Sequence, residues 1–209
     1  MTIRQRFATY VLACSLLSGA AVAADTGAAS ASQLPTSSVA ATVDLVSMTA
    51  AGALAAMGTD TFASRFQDAA YAAATRLETD GALLHQAWMK ADRPHQIAFL
   101  SALTQVGVPY QRNASKPGIA FDCSGLTAYA WSQAGVEIPH QSAAQMRSAA
   151  KRTIDTAQAG DLVYYPGHVM MWLGVDNLIV HAVGRGRDVE VGHVSDRRVN
   201  RLKFGNPLG

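Results

Sequence analysis

The 209-residue chain reads as an α+β protein, because its apolar residues recur at spacings of three and four as far as Ala134 and then gather in short β-rich runs. Those runs are Asp161-Leu162-Val163-Tyr164-Tyr165, Val169-Met170-Met171-Trp172-Leu173, Leu178-Ile179-Val180 and Val189-Glu190-Val191. Their links, Pro166-Gly167 and Gly174-Val175-Asp176-Asn177, are short and turn-rich, which predicts antiparallel hairpins and a small sheet. A third observation is a helix opening at Cys123 behind Asp122, a natural N-cap, with Leu126, Tyr129, Ala130 and Ala134 turned to a core and Gly135 as its stop.

The elements before that helix follow in order. Arg4 and Arg6, an apolar stretch from Tyr10 to Leu17 and the small residues Ala21-Val22-Ala23 predict a secretory signal peptide over residues 1–23, and hence an exported, cell-envelope or secreted protein. The apolar stretch is too short to span a bilayer, so no stable membrane anchor is expected after cleavage. Cys14 leaves with the signal; Leu12-Ala13-Cys14 has the outline of a lipoprotein site, but the apolar run before it is short. Residues 24–38, rich in Ala, Ser, Thr, Gly and Pro, read as a flexible linker. Residues 39–91 read as an Ala-rich helical accessory region: two helices broken at Gly58-Thr59-Asp60, then a third from Gly81 to Lys90 with Leu84 and Trp88 on one side. Residues 92–209 have the length of one domain. Asp92 caps its first helix, Pro94 sits in the first turn, Ile97, Leu100, Leu103 and Val106 supply the apolar stripe, and Gly107 and Pro109 end it. Residues 110–120 read as a loop and residues 141–150 as helix or loop.

Charge excludes one class of function. The formal balance is +2, and loss of Arg4 and Arg6 makes it zero, which does not suit a nucleic-acid binder. The halves differ: residues 24–92 carry three basic and seven acidic side chains, residues 93–209 twelve and eight. Opposite signs suggest that the leader docks on the domain and shades its cleft, the plain alternative being a spacer. There is no glycine-rich phosphate loop, and Gly184-Arg185-Gly186-Arg187 reads as a turn between strands.

With Cys14 removed, Cys123 is the only cysteine, so it is an inert buried side chain, half of an intermolecular bridge, or a nucleophile. Its place in the first turn of a helix favours the thiolate, because unpaired backbone N–H groups point at it. His168 opens a strand directly after a turn, and His181 lies near the end of the following strand, so hairpin pairing could set the two rings side by side as base and orienting partner. A zinc site from the same three residues is disfavoured, since no paired ligand motif or fourth ligand accompanies them, and no cofactor is expected. His85, His95, His140 and His193 are assigned to the surface or to supporting positions.

Taken in order, Gly107-Val108-Pro109-Tyr110, Asp122-Cys123-Ser124-Gly125-Leu126, Ile138-Pro139 with Ser142 and Gln145, Gly160-Asp161-Leu162-Val163, Gly167-His168-Val169, Leu173-Gly174 and His181-Ala182 resemble the NlpC-type cell-wall peptidases, papain-like cysteine endopeptidases of bacterial peptidoglycan. The resemblance spans roughly residues 94–204 and leaves the leader uncovered. It implies a papain-like domain with the Cys-bearing helix packed on a small antiparallel sheet. It also implies Cys123 as nucleophile, His168 as base, His181 as the residue orienting it, Tyr110 beside the thiol, and Asp122 and Ser124 in the pocket for the stem peptide. The implied reaction is hydrolysis of a stem-peptide amide, typically γ-D-glutamyl to diaminopimelate or lysine, without a cofactor. A non-catalytic wall-binding module, and an amidase or acyltransferase on the same fold, are the competing expectations. The sequence departs from the family pattern at Gln111-Arg112-Asn113 in place of Trp-Gly-Gly, at Met170 in place of a glycine, and at His140 where an arginine is common.

Overall fold

The computed structural model describes residues 44–209. The expected signal peptide, Cys14 and linker therefore lie outside the described residues. Four helices come first: α1 (Leu45–Ala55), α2 (Phe62–Leu77), α3 (Gly81–Lys90) and α4 (Arg93–Leu103). Three begin on an aspartate whose carboxylate takes up unpaired first-turn N–H groups: Asp44 accepts from Val46, Asp80 from Ala82 and Leu83, and Asp92 from His95. None of the described helices is long and apolar enough to cross a membrane.

After a two-stranded ribbon, β1 (Ser115–Lys116) with β2 (Ala120–Phe121), come α5 (Cys123–Gln133) and α6 (Ser142–Ser148). The rest is mainly sheet: β3 (Ala150–Arg152), β4 (Leu162–Tyr165), β5 (His168–Trp172), β6 (Leu178–Ala182), β7 (Val189–His193), the short α7 (Asp196–Val199) and β8 (Lys203–Asn206). The six-stranded sheet has the order β3-β8-β4-β5-β6-β7, antiparallel throughout. The four apolar runs form β4 to β7 as expected. Two further strands, β3 and β8, were not expected from the sequence, because Ala150-Lys151-Arg152 and Lys203-Phe204-Gly205-Asn206 lack an apolar face of their own. Each is a strand only because it finds a partner.

Alternation along β5 divides the core. Val169 and Met171 join the main cluster with Leu126, Ala130 and Trp131 of α5, while Met170 and Trp172 pack on the other face with Val163, Ile179 and Phe204. Met170 is thus 2% exposed in the second cluster, so its bulk is absorbed there. The main cluster continues into α1, α2 and α3 without a break. Phe66, Trp88 and Phe99 stack with ring centroids 4.7–6.0 Å apart, and the Trp88 indole donates to the Leu173 carbonyl at 2.9 Å. Trp88 is fully buried in that contact, which joins α3 to the end of β5.

Candidate active site

The tip of α5 is held from several sides at once. Asp122 Oδ1 accepts from Gly125 N at 2.7 Å and Ser124 Oγ at 3.1 Å and lies 2.9 Å from His140 Nε2, while Oδ2 accepts from Asn113 N at 2.8 Å. Gly125 is required by close approach: a Cβ there would stand 2.0 Å from the Ala114 carbonyl oxygen. Buried Gln145 ties α6 to the same turn, donating to the Ser124 and Pro139 carbonyls at 2.9 and 2.8 Å and accepting from Thr127 Oγ1 at 2.8 Å. Asp122 and Ser124 are 7% and 6% exposed, and their polar atoms are engaged internally in fixing the Cys-bearing turn.

Cys123 occupies the first position of α5 and is half-buried. Burial pushes its thiol above the ordinary value, and the Asp122 carboxylate pushes the same way; the backbone N–H groups of Val169, Ser124 and Cys123 itself act against them. The thiolate expected from the helix terminus alone is therefore not the resting form. Its donors are present but outweighed by desolvation. Val169 directly follows His168, so that hydrogen bond brings the start of β5 to the sulfur.

The two imidazoles meet as the hairpin predicted. His168 Nε2 lies 2.9 Å from His181 Nδ1, with the rings edge to face at 73°. Burial and the nearby Arg198 charge lower His168 to about 4, and burial, His168 and Arg187 lower His181 to about 3. Both rings are neutral at physiological pH. Tyr110 is placed beside this centre by its bridge to Phe121. Burial first, then the charges of Cys123 and Asp122, hold its hydroxyl above the ordinary value, which keeps it a hydrogen-bond donor.

Four neighbours of the histidines did not stand out in the sequence. Tyr165 lies opposite His168 in the β4–β5 register with ring centroids 5.4 Å apart, and Arg198 stacks on Tyr165 at 4.6 Å and donates to its hydroxyl at 2.9 Å. Glu190 lies opposite His181 in the β6–β7 register, its Oε1 3.9 Å from His181 Nε2, and is ion-paired with Arg187. Parity within β7 could have flagged Glu190, since cross-strand partners share a face. No local signal marks Arg198. Among the described residues, no group of three or more His, Cys, Asp or Glu side chains could hold a metal ion.

His95, assigned to the surface or a supporting position, is fully buried away from this centre. Its Nδ1 lies 2.7 Å from Asp92 Oδ1 and its Nε2 3.1 Å from Asp161 Oδ1.

Residues 107–202 match the model of the NlpC/P60 family. The chain carries an NlpC/P60 domain. Tyr110, Asp122, Cys123, Ser124, His168 and His181 all fall inside the match, and α1 to α4 precede it. A probable endopeptidase of Mycobacterium tuberculosis is 40% identical over 94 residues, 44% of this chain and 24% of that protein. A bifunctional muramidase/DL-endopeptidase of Bacillus subtilis is 34% identical over 73 residues, 35% of this chain and 22% of that protein. The chain thus spans about a quarter of either relative. An NlpC/P60 family protein from Bacillus cereus superposes with a TM-score of 0.50 at 24% identity, over 55% of this chain and 40% of that one, and so shares the fold. The NlpC/P60 domain here has β3 to β7 and α7 within the matched range, whereas β8 begins just beyond it.

Proposed function

We propose that this chain is a cysteine peptidase of the cell envelope that hydrolyses stem-peptide amide bonds of peptidoglycan, with the γ-D-glutamyl bond to diaminopimelate or lysine as its substrate. The observation that carries the reading is the 2.9 Å contact of His168 Nε2 with His181 Nδ1 beside the capped Cys123 turn. A DL-endopeptidase among the relatives supports the bond type. Export through the signal peptide read over residues 1–23 supports the location.

A raised thiol and a lowered imidazole support the part of a general base for His168. Its Nε2–H donates to His181, leaving Nδ1 to take the thiol proton as Sγ attacks the amide carbon. The oxyanion forms at the helix tip, where the Cys123 N–H and the Tyr110 hydroxyl serve as donors. Collapse breaks the C–N bond, the amine leaves with the proton from His168, and a thioester remains. Water, deprotonated by His168, then releases the acid and restores the thiol. Asp122 and Ser124 act by holding this turn still. Cys123→Ala should reduce muropeptide cleavage to background while leaving the circular dichroism unchanged; cutting at the parent rate would end the proposal.

A second reading, a wall-binding module without catalysis, draws on the raised Cys123 thiol. Iodoacetamide separates the two. Labelling of the free protein near neutral pH should be faster than in His168→Ala if His168 serves as base, and equally slow in both in a pure binder.

A further inference from the structure

We propose that the groove between α6 and the β3–β8 side of the sheet is a second binding site, for the carboxylates of a stem peptide next to the one being cut; this rests on the peptidoglycan reading above. The groove has a volume of about 680 Å³ and is rimmed by Arg147, Lys151 and Lys203, with no acidic side chain in its lining. Its floor is apolar, made by Met146 and Tyr164.

The register explains why these cations converge. Lys203 lies opposite Tyr164, and Lys151 opposite Gly205, so Lys151, Lys203 and Tyr164 share the sheet face that α6 covers. Gly205 lets α6 settle onto that face, since a Cβ there would lie 2.9 Å from Ala149 Cβ and 3.0 Å from Met146 Cε. Arg147 then descends from α6 onto the same rim. Protection of a sheet edge accounts for cations on β3, the edge strand. It does not account for Lys203 on the interior strand β8 or for Arg147 on a helix.

Among the described residues, none of Arg147, Lys151 and Lys203 has an ion-pair partner, whereas Arg187 is paired with Glu190 and Arg198 is bonded to Tyr165. Three like charges round one groove repel each other, and an anionic ligand relieves that repulsion. A stem peptide has the matching chemistry: carboxylates for the rim and short alkyl side chains for the floor. Position fits as well. α6 follows closely on His140, which contacts the Asp122 cap, and seven helical residues span about 10 Å. A polymer with repeated stems can therefore fill the catalytic centre and this groove together.

The test uses the full chain carrying Cys123→Ala, so that nothing is cut, and insoluble sacculi freed of covalently attached phosphate polymers. The triple variant Arg147→Gln, Lys151→Gln, Lys203→Gln in that background should bind roughly tenfold more weakly, from three lost exposed charge contacts. Capping the sacculus carboxylates as amides should weaken the parent by a similar factor. With Cys123 restored, the triple variant should cleave a short soluble stem peptide at the parent rate but degrade sacculi more slowly. Parent-like binding by the triple variant overturns the proposal, and so does parent binding that survives carboxylate capping. Failure of the hydrolase reading would show separately, as absence of cleavage by the Cys123 chain, and would leave the binding comparison intact.

Discussion

Glu190 is the residue whose role the tertiary structure adds most directly. Its carboxylate lies 3.9 Å from His181 Nε2, on the other side of that ring from the Nδ1 that meets His168. In the proposed mechanism, negative charge there favours the imidazolium that His168 becomes once it holds the thiol proton. Glu190→Gln should therefore lower kcat roughly three- to tenfold, a modest factor because Glu190 is partly exposed and already paired with Arg187. The pH–rate profile gives the sign. His168 must be neutral to act, so parent activity should persist down to about pH 4 and fall below it. Loss of the carboxylate makes protonation harder and moves that acid limb lower. An unchanged profile and kcat would remove Glu190 from the catalytic line. Gly125 belongs to the same scale. Gly125→Ala forces a Cβ against the Ala114 carbonyl at 2.0 Å, and the contact is backbone that cannot swing away. The expected cost is about 1–3 kcal/mol in urea unfolding, with a loss of activity as the Cys123 turn shifts.

At the scale of elements, Asp92, His95 and Asp161 join the start of α4 to the start of β4. Burial draws the His95 imidazole down, but hydrogen bonds to Asp161 and Asp92 and their charges outweigh it and hold it above the ordinary 6.5. A raised folded pKa means that the stabilisation is full below about pH 6.5 and is lost as pH climbs through the folded value. Urea midpoints of the parent should fall across that alkaline window. His95→Gln should be flat there, and less stable at neutral pH by about 3 kcal/mol, because buried Asp161 loses its partner. A variant that keeps the parent slope would place the titration elsewhere. The sequence allowed Asp92 as the cap of α4 and left His95 an anonymous histidine. The reason is separation: Asp161 lies far along the chain and meets His95 only when the sheet packs against α4. The same holds for Gln145, which stood in a stretch readable as helix or loop and proves to anchor the carbonyl of Ser124.

At the scale of the molecule, α1 to α3 are continuous with the main core, and Trp88 is their deepest contact with the sheet side. Trp88→Ala should cost about 3–5 kcal/mol of unfolding free energy, from the cavity left beside Phe66 and Phe99 and the lost hydrogen bond to Leu173. Denaturant melts of the full chain measure this, and a loss below about 1 kcal/mol would mean that the helices fold as a detachable attachment. Truncation at Asp92 would strip the same contacts, so its activity has to be read beside its stability.

Helices α1 to α5, strands β4 to β7, the Asp122 cap over Cys123 and the two histidines at strand boundaries were written in the sequence, because capping and periodicity are local and need only a few neighbouring residues. Packing alone decided the protonation states and the partners. Desolvation raises the thiol and lowers both imidazoles, reversing the ionised sulfur that the helix terminus by itself suggests. Strand register likewise brings Glu190 to His181 and gathers cations from a helix, an edge strand and an interior strand round one groove. Burial and register depend on which distant segments meet, and no short window of residues contains that information.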